Sequence, residues 1–449
     1  MAGSDDNSFV LREGVIATVD GAGSVVRGDL LVEDGVISAV GDVDAESVGD
    51  VREISLGGKA VIPGFVQPHI HLCQTLLRGG ADDMALIDWL QDRVWPYEAA
   101  LRPEELYTSA RLGLAELILG GTTALLDMGT VRHTDAIGEA VEESGIRAFI
   151  GKCMMDRDGD TPDALNEETE RSIEESIALH RRWDGAAQGR IRYAFAPRFA
   201  VSCTEELLRE TAAAADDLGA LVHTHASETQ FENEFSVKHH GMRNVPFLEE
   251  VGLCDAHSVF AHGVHVEDAE CRTLARTETA ICHCPSSNLK LASGLANMPR
   301  FDEFGVPVAL GADGAPCNNN LDAFVEMRLA ALIHKPGHGP EAMPAERVLR
   351  LATLDGAKAL GIDDRVGSIE EGKDADLVVL DLDANPATTP GGDVASRIVY
   401  SAQRDNVDKV FAGGRQLVDG GELLGTDVDG LLSRARTARE EVVERMQSI

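Results

Sequence analysis

The sequence predicts an α/β protein, a (β/α)8 TIM-type barrel with a small β-sandwich domain formed from both termini. Three observations lead there. Residues 63–364 repeat a strand-then-helix rhythm eight times, the number that closes such a barrel. Both ends of the chain consist instead of short β-rich runs separated by Gly-Asp and Asp-Gly turns. Several middle strands also end in His or Asp, where a barrel gathers its strand ends at one mouth. The competing architecture, a doubly wound open sheet, lacks a Gly-rich dinucleotide loop here.

In chain order, residues 1–8 are small, polar and acidic and read as a frayed end. "FVLREGVIATVD", "GDLLVEDGVISAVG" and "VREISLGGKAVIPG" then supply the first β-rich runs. The barrel strands follow as "GFVQPHIHL", "TTALLDMG", "RAFIGKCMM", "RYAFAPRFA", "ALVHTHAS", "SVFAHGV", "TAICHCPSS" and "VPVALGAD". Helical stretches such as "PEELYTSARLGLAELILGG" and "TEELLRETAAAADDLG" lie between them. β-rich texture returns in "ADLVVLDLD", "RIVYSA" and "VDKVFAGGRQLVDGGEL". The boundaries are therefore 1–62 with 365–427 for a composite β-domain, and 63–364 for the barrel. Residues 428–449 form a C-terminal amphipathic helix carrying Leu431, Leu432, Val442, Val443 and Met446.

Composition narrows the class. The 449 residues are 44% hydrophobic and 26% charged, a globular balance. No stretch of about 18 uncharged apolar residues occurs, which argues against a membrane span. The first residues lack the basic start and apolar core of a secretory signal, so a cytoplasmic location is expected. Eight Cys, with one C-x-C (Cys282, Cys284) and no C-x-x-C, read as reduced thiols. Against 76 acids stand 40 bases, for a net charge of −36, which excludes a phosphate-tracking nucleic-acid binder. Only eight of the bases are Lys and 32 are Arg. The acids are dispersed, as in "DDNS", "DVDAESVGD", "DRDGDTPDALNEETE" and "DLDAN". Such a surface suits concentrated salt, where counterions screen self-repulsion. That halophilic reading describes the host and says nothing of the chemistry.

The chemistry lies in the strand ends. Strand one ends in His69-Ile70-His71, strand five in His223-Thr224-His225, strand six in His262 and strand eight in Asp313. Residues i and i+2 of a strand point to the same side, so His69 and His71 can reach one point. A lone H-x-H, or an Asp after "LGA", carries little weight. Ligand-type residues on four strand ends that converge on one mouth carry much more. Imidazoles with a carboxylate suit Zn2+, with Fe2+ or Mn2+ as alternatives.

Together, "PGFVQPHIH", "HTHASE", "FAHGVH", "HCPSSNLKL", "LGADGAPCNNNLD" and "GSIEEGKDADLVVLD" resemble the amidohydrolase superfamily over nearly the whole chain. The resembling branch holds mononuclear nucleobase and nucleoside deaminases and triazine hydrolases. The resemblance implies one divalent metal per chain, first of all zinc, held by His69, His71, His225 and Asp313. His223 competes with His225, but the family pattern of a ligand followed three residues later by Glu fits His225 with Glu228. Residues 191–200 lack the Lys that bridges two metals in binuclear members, and Lys152, on strand three, departs from that pattern. The resemblance also implies that Glu228 shuttles protons, Asp313 takes the water proton and His262 orients the nucleophile and stabilises developing charge. Attack on an amino-bearing ring carbon would release ammonia.

For the substrate, Gln74 in "HIHLCQ", Arg198 in "APRFAVSC" and the run "GKCMMDR" are similar to guanine deaminases. This implies a guanine-like oxopurine and a place in purine metabolism. "TLLRGGADDMALIDWLQDRVWPYEAAL" resembles methylthioadenosine/S-adenosylhomocysteine deaminases instead, in which the residue matching Glu98 holds the ribose hydroxyls. Against those nucleosides, Arg198 stands where that group has His on strand four, and Lys152 where it has Arg on strand three. Trp89 is a candidate for an apolar pocket wall, as is Trp95, although helix-spaced aromatics also serve packing. The expectation is a guanine-like substrate with water as the second reactant and no nucleic-acid or membrane partner. A homo-dimer or tetramer is compatible. The alternatives are an adenosine-type thioether nucleoside deaminase, a triazine-type hydrolase, and a non-catalytic barrel kept as a binding module. The complete ligand set with Glu228 argues against the last.

Overall fold

The computed structural model describes residues 7–44, 51–157, 159 and 161–448. The acidic run at 45–50 and residues 1–6 of the expected frayed end lie outside the described residues. The chain divides into two compact units, 1–66 with 115–124 and 322–426, and 67–114 with 125–321 and 427–449.

In the first unit, both ends of the chain meet in one mixed sheet. Leu377–Leu380 runs antiparallel to Ala60–Pro63, with Val378 opposite Ile62. From that seam the sheet extends through Val407–Ala412 and Arg415–Asp419 on one side. On the other side it extends through Phe9–Ala17, Val25–Glu33 and Val36–Gly41. Phe9, Leu11, Leu30, Val32, Leu377, Val379 and Phe411 form its main core. The Phe9 and Phe411 rings stack at 4.6 Å, worth about 0.5–1.5 kcal/mol beyond their burial. One expectation fails here. "RIVYSA" lies largely in the helix Val394–Tyr400, not in a strand. The Asp393 carboxylate accepts from Ser396 N at 2.8 Å, and that cap with one buried face (Ala395, Ile398, Val399) overrides the β propensity of Ile and Val.

The second unit holds most of each barrel strand. Its sheet runs through Val308–Leu310, Ala280–His283, Ser258–His262, Leu221–Ala226, Ile191–Pro197, Arg147–Gly151, Thr122–Met128 and Phe65–His71, and ends on Asp313–Gly314. Val308–Leu310 and Asp313–Gly314 are two halves of the predicted eighth strand. The first half pairs with strand seven, the second with strand one, and the barrel is thereby closed. The break falls at Gly311, where a Cβ would stand 2.7 Å from Cys282 Sγ and 3.0 Å from His69 O. Strands one, two and six are buried at every residue, as expected of parallel strands covered on both faces. The helices obey local rules. Glu205–Leu218 is capped by the Thr204 hydroxyl and ends at Gly219 with φ +61°.

The C-terminal helix Val428–Met446 belongs to this second unit. It buries Leu431, Ala435, Ala438 and Val442. Leu432 and Val443, expected on the same face, are exposed, because helical spacing carries each one position past the buried stripe. The eight cysteines are all free, as expected.

Candidate functional site

Strands one, five, six and eight bring His69, His71, His225, His262 and Asp313 together. One donor atom each from His69, His71 and His225 lies within 4.8 Å of the others, and so do atoms of His69, His262 and Asp313. Asp313 Oδ1 is 3.2 Å from His69 Nε2 and 3.4 Å from His71 Nε2. His71 Nε2 and His225 Nε2 are 3.3 Å apart. His262 and Asp313 have φ of +76° and +62°, a costly backbone for non-glycine residues that is concentrated at functional positions.

The hydrogen bonds dictate which ring nitrogens are free. A carbonyl oxygen only accepts, so His71 Nδ1 donates to Met128 O at 2.8 Å and His225 Nδ1 donates to Arg198 O at 2.7 Å. Their Nε2 lone pairs are then open towards the cluster. His223 Nδ1 likewise donates to Val259 O at 2.9 Å, which leaves its Nε2 as an acceptor. His69 Nδ1, 2.7 Å away, must donate to it, and so His69 Nε2 also presents a lone pair. That atom is buried without a hydrogen-bond partner. His223 thus has both nitrogens engaged, one on Val259 O and one on His69 Nδ1, whereas His225 Nε2 faces the cluster. Burial is the main reason the imidazoles are held neutral, with His71 pushed down to about 3 and His223 and His225 well below the ordinary value. Burial alone would raise Asp313, but His69, His262 and His71 hold it well below the usual carboxylate range. Three neutral imidazoles and one carboxylate therefore converge as a donor set that fits a divalent cation.

Glu228 is not a solvated residue opening a helix. It is buried, and the helix Gln230–His240 starts after it on a capping box of Thr229 and Glu232. Its Oε1 accepts from Ser293 Oγ at 3.0 Å, and its Oε2 is 3.5 Å from His262 Nε2. Burial raises its pKa, opposed by His262. Burial works against the His262 imidazolium, yet Glu228 and Asp313 outweigh it and the net shift is upward. Asn288 Oδ1 accepts from His262 Nδ1 at 2.9 Å. Asn288 and Ser293 were not singled out from sequence. Asn288 lies inside "HCPSSNLKL" and Ser293 just after it, so the motif marked the place without the role.

The pocket above the cluster is lined by His71, Gln74, His225, Glu228, His262 and Asp313, with Arg198 at its side and Leu86, Trp89, Leu90, Phe199 and Leu291 as apolar wall. Trp89 adjoins a wide π turn, Leu90–Val94, in the long first loop. Trp95 is buried and does not line the pocket. Glu98 lies behind Arg198. Arg198 Nη1 donates to Glu98 Oε2 at 2.7 Å and Nη2 to Oε1 at 3.3 Å, while Gln74 Nε2 donates to the same Oε1 at 2.9 Å. The ion pair is buried, with side-chain exposures of 3% and 0%. Burial alone would lower the Arg198 pKa, and Glu98 more than reverses this. Gln74 Oε1 and Trp89 Nε1 are buried without protein partners. Lys152 is fully buried and bound to Glu167 and Ser172, with Arg132 also on Glu167 at 3.2 Å. The C-terminal helix braces the first loop through Arg445, which donates to Ala100 O at 2.9 Å and pairs with Glu105 at 2.5 Å.

The chain matches the amidohydrolase family over residues 60–417. It is 42% identical to a 5'-deoxyadenosine deaminase of Methanothermobacter thermautotrophicus over 439 residues, 97% of this chain and 99% of the relative. It is 41% identical to a 5-methylthioadenosine/S-adenosylhomocysteine deaminase of Haloarcula marismortui over 427 residues, 94% of this chain and 96% of the relative. A solved adenosine deaminase from Xanthomonas campestris with bound zinc is 33% identical and superposes with a TM-score of 0.90, covering 98% of this chain and 99% of that one. These likenesses fall on the adenosine side and do not carry the guanine-like expectation. The two residues that motivated that expectation, Gln74 and Arg198, both donate to Glu98, so neither presents its full donor set to a ring carbonyl.

Proposed function

The chain belongs to the amidohydrolase family, whose members are metal-dependent hydrolases, and we propose that it deaminates adenosine-type nucleosides modified at the 5' position. The observation that carries this reading is the near-complete, 42% identical likeness to a 5'-deoxyadenosine deaminase. The proposed ligands are His69, His71, His225 and Asp313, holding one divalent cation, zinc first. When bound, such a cation supplies an acidified water, its pKa lowered from about 16 towards about 7–9.

The remaining steps belong to side chains. Glu228, its pKa raised by burial, donates in its protonated form to a ring nitrogen next to the amino-bearing carbon and makes that carbon electrophilic. As water adds to that carbon, Asp313 takes the proton the water loses. Glu228, now a carboxylate, takes the added hydroxyl's proton and passes it to the amine, which leaves as ammonia as the C–N bond breaks and C=O forms. The proton held by Asp313 then restores Glu228. Ser293 and His262 hold the two Glu228 oxygens in place for both transfers. His262, its pKa raised, stabilises the charge that develops on the attacked carbon's oxygen. His223 keeps His69 in the tautomer that faces the cluster. Gln74 Oε1, Trp89 Nε1 and the guanidinium of Arg198 supply polar contacts at the pocket.

Ammonia release from 5'-deoxyadenosine, 5-methylthioadenosine, adenosine, guanine and cytosine tests the reading, with metal content measured on the same preparation. The 5'-modified adenosines should be turned over with the highest kcat/KM. Faster turnover of guanine would overturn the reading. We also propose, from the net charge of −36, that the surface is adapted to salt. The melting temperature should rise between about 0.1 M, where the screening length is about 10 Å, and molar salt. A flat or falling curve would reject this.

A further inference from the structure

We propose that His265, the second histidine of "FAHGVH", is a positioning residue for the deamination: it fixes Ser293, and through Ser293 the carboxyl of Glu228. The inference deepens the proposed function and rests on the proton-transfer role of Glu228 in it.

The motif places two imidazoles three residues apart, and the proposed chemistry uses only the first. His262 Nε2 stands 3.5 Å from Glu228 Oε2. His265 turns instead to the segment that follows strand seven, where its Nε2 lies 2.8 Å from Ser293 O. A carbonyl oxygen only accepts, so this Nε2 carries a proton and donates it. The hydroxyl of the same Ser293, a buried residue, donates to Glu228 Oε1 at 3.0 Å. The two histidines of one motif thereby act on the two oxygens of one carboxyl, His262 directly and His265 through Ser293.

The backbone of His265 serves the same carboxyl from below. Its N–H donates to Ser227 O at 2.9 Å, and Ser227, with φ +50°, is the residue that turns the chain into Glu228. Such a backbone is costly for serine and persists only where its surroundings hold it. Asn244 Oδ1 accepts from Ser227 N at 3.0 Å. Arg243 Nη2 and Asn233 Nδ2 donate to His265 O at 2.6 and 3.4 Å, and Arg243 pairs with Glu270 at 3.1 Å. His265 therefore joins the base of Glu228 to the loop that holds its tip. Glu228 has to meet first a ring nitrogen and then the amine, and a displacement of about 1 Å in such a group costs about 10²-fold in rate. A histidine that only closes a loop affects stability. One that acts through Glu228 affects kcat, and does so only while Glu228 can transfer protons.

That difference is measurable with the metal-loaded full chain and 5'-deoxyadenosine, or the nucleoside turned over fastest. His265→Leu removes the donor, and kcat should fall roughly 10- to 100-fold while KM and metal per chain change little. His265→Gln offers an amide N–H at similar reach and should restore most of the lost kcat. His265→Asn, one methylene shorter, should not. In a Glu228→Gln background, adding His265→Leu should lower kcat no further, because the path that His265 supports is already gone. An unchanged kcat in His265→Leu would overturn the proposal. So would losses that multiply in the double variant, or equal kcat for the Gln and Asn variants. Should His265→Leu fail to fold, the Gln and Asn pair decides alone. Wild-type kcat in Glu228→Gln would bring down the role of Glu228 and the proposal together, whereas a low kcat there beside an insensitive His265 would bring down the proposal only.

Discussion

The imidazole wall of the pocket and the Gln74–Glu98–Arg198 wall are anchored by different means. Along the first, His71, His225 and His223 each bond a backbone carbonyl of the barrel, at 2.8, 2.7 and 2.9 Å. Those carbonyls are part of a closed sheet and cannot move without breaking it. Along the second, three side chains hold one another, and Gln74 and Glu98 come from the long first loop braced by the C-terminal helix. A carbonyl-anchored wall suits atoms that must hold a cation to a few tenths of an ångström. A mutually paired wall can differ between relatives while the chemistry stays the same, because its partners can change together.

The comparison can be broken most severely at the carbonyl-anchored wall. His69→Ala or Asp313→Ala should abolish both tight metal binding and deamination, measured as metal per chain and ammonia release. Activity retained with metal content near zero would remove the metal from the reading. Next in size, Glu228→Gln should keep metal and fold but lower kcat by roughly 10²- to 10⁴-fold, the range of general acid–base help. A change confined to KM would instead make Glu228 a binding group.

At the second wall, Glu98→Ala leaves the Arg198 cation buried and unpaired, at a cost of about 3–5 kcal/mol of stability. The double variant Glu98→Leu with Arg198→Met should be markedly less destabilised than either single change, read by denaturant unfolding. If the losses simply add, the two side chains are not the coupled unit described.

His223 sharpens the contrast, since it lies behind the metal wall without touching the proposed ion. His223→Ala should weaken metal affinity about 10- to 100-fold, while kcat at saturating metal stays closer to wild type. An unchanged affinity would show that His69 needs no such orientation. The smallest effect belongs to the brace. Arg445→Ala removes a pair with the buried Glu105 at the edge of the helix, worth about 1 kcal/mol, and should raise KM a few-fold with little change in kcat.

Much of this was legible in the sequence because barrel strands are local. Each of "GFVQPHIH", "LVHTHA" and "SVFAH" is a short buried run whose last residues emerge at the mouth. Strand ends and period-two spacing therefore brought His69 with His71, the pair His223 and His225, and His262 to one place, and the family resemblance preferred His225 within its pair. The same local logic failed for "RIVYSA", where a cap and a buried face produced a helix. It was silent on Asn288 and Ser293, whose roles depend on which side chains another strand brings within 3 Å.

By itself, the sequence determined the barrel, the sheet built from both termini and the set of cluster residues, since periodicity and strand ends are written in consecutive residues. Only the tertiary structure decided which of His223 and His225 faces the cluster, because both have the same i, i+2 placement. Both rings donate Nδ1 to a strand carbonyl, and the difference is where Nε2 lies: that of His223 accepts from His69 Nδ1, whereas that of His225 stands 3.3 Å from His71 Nε2 in the cluster. Only the tertiary structure, likewise, decided what Arg198 does. From sequence it was a free donor suited to a ring carbonyl, whereas in the folded chain it meets Glu98, 100 residues away, and a buried guanidinium beside a buried carboxylate pairs with it.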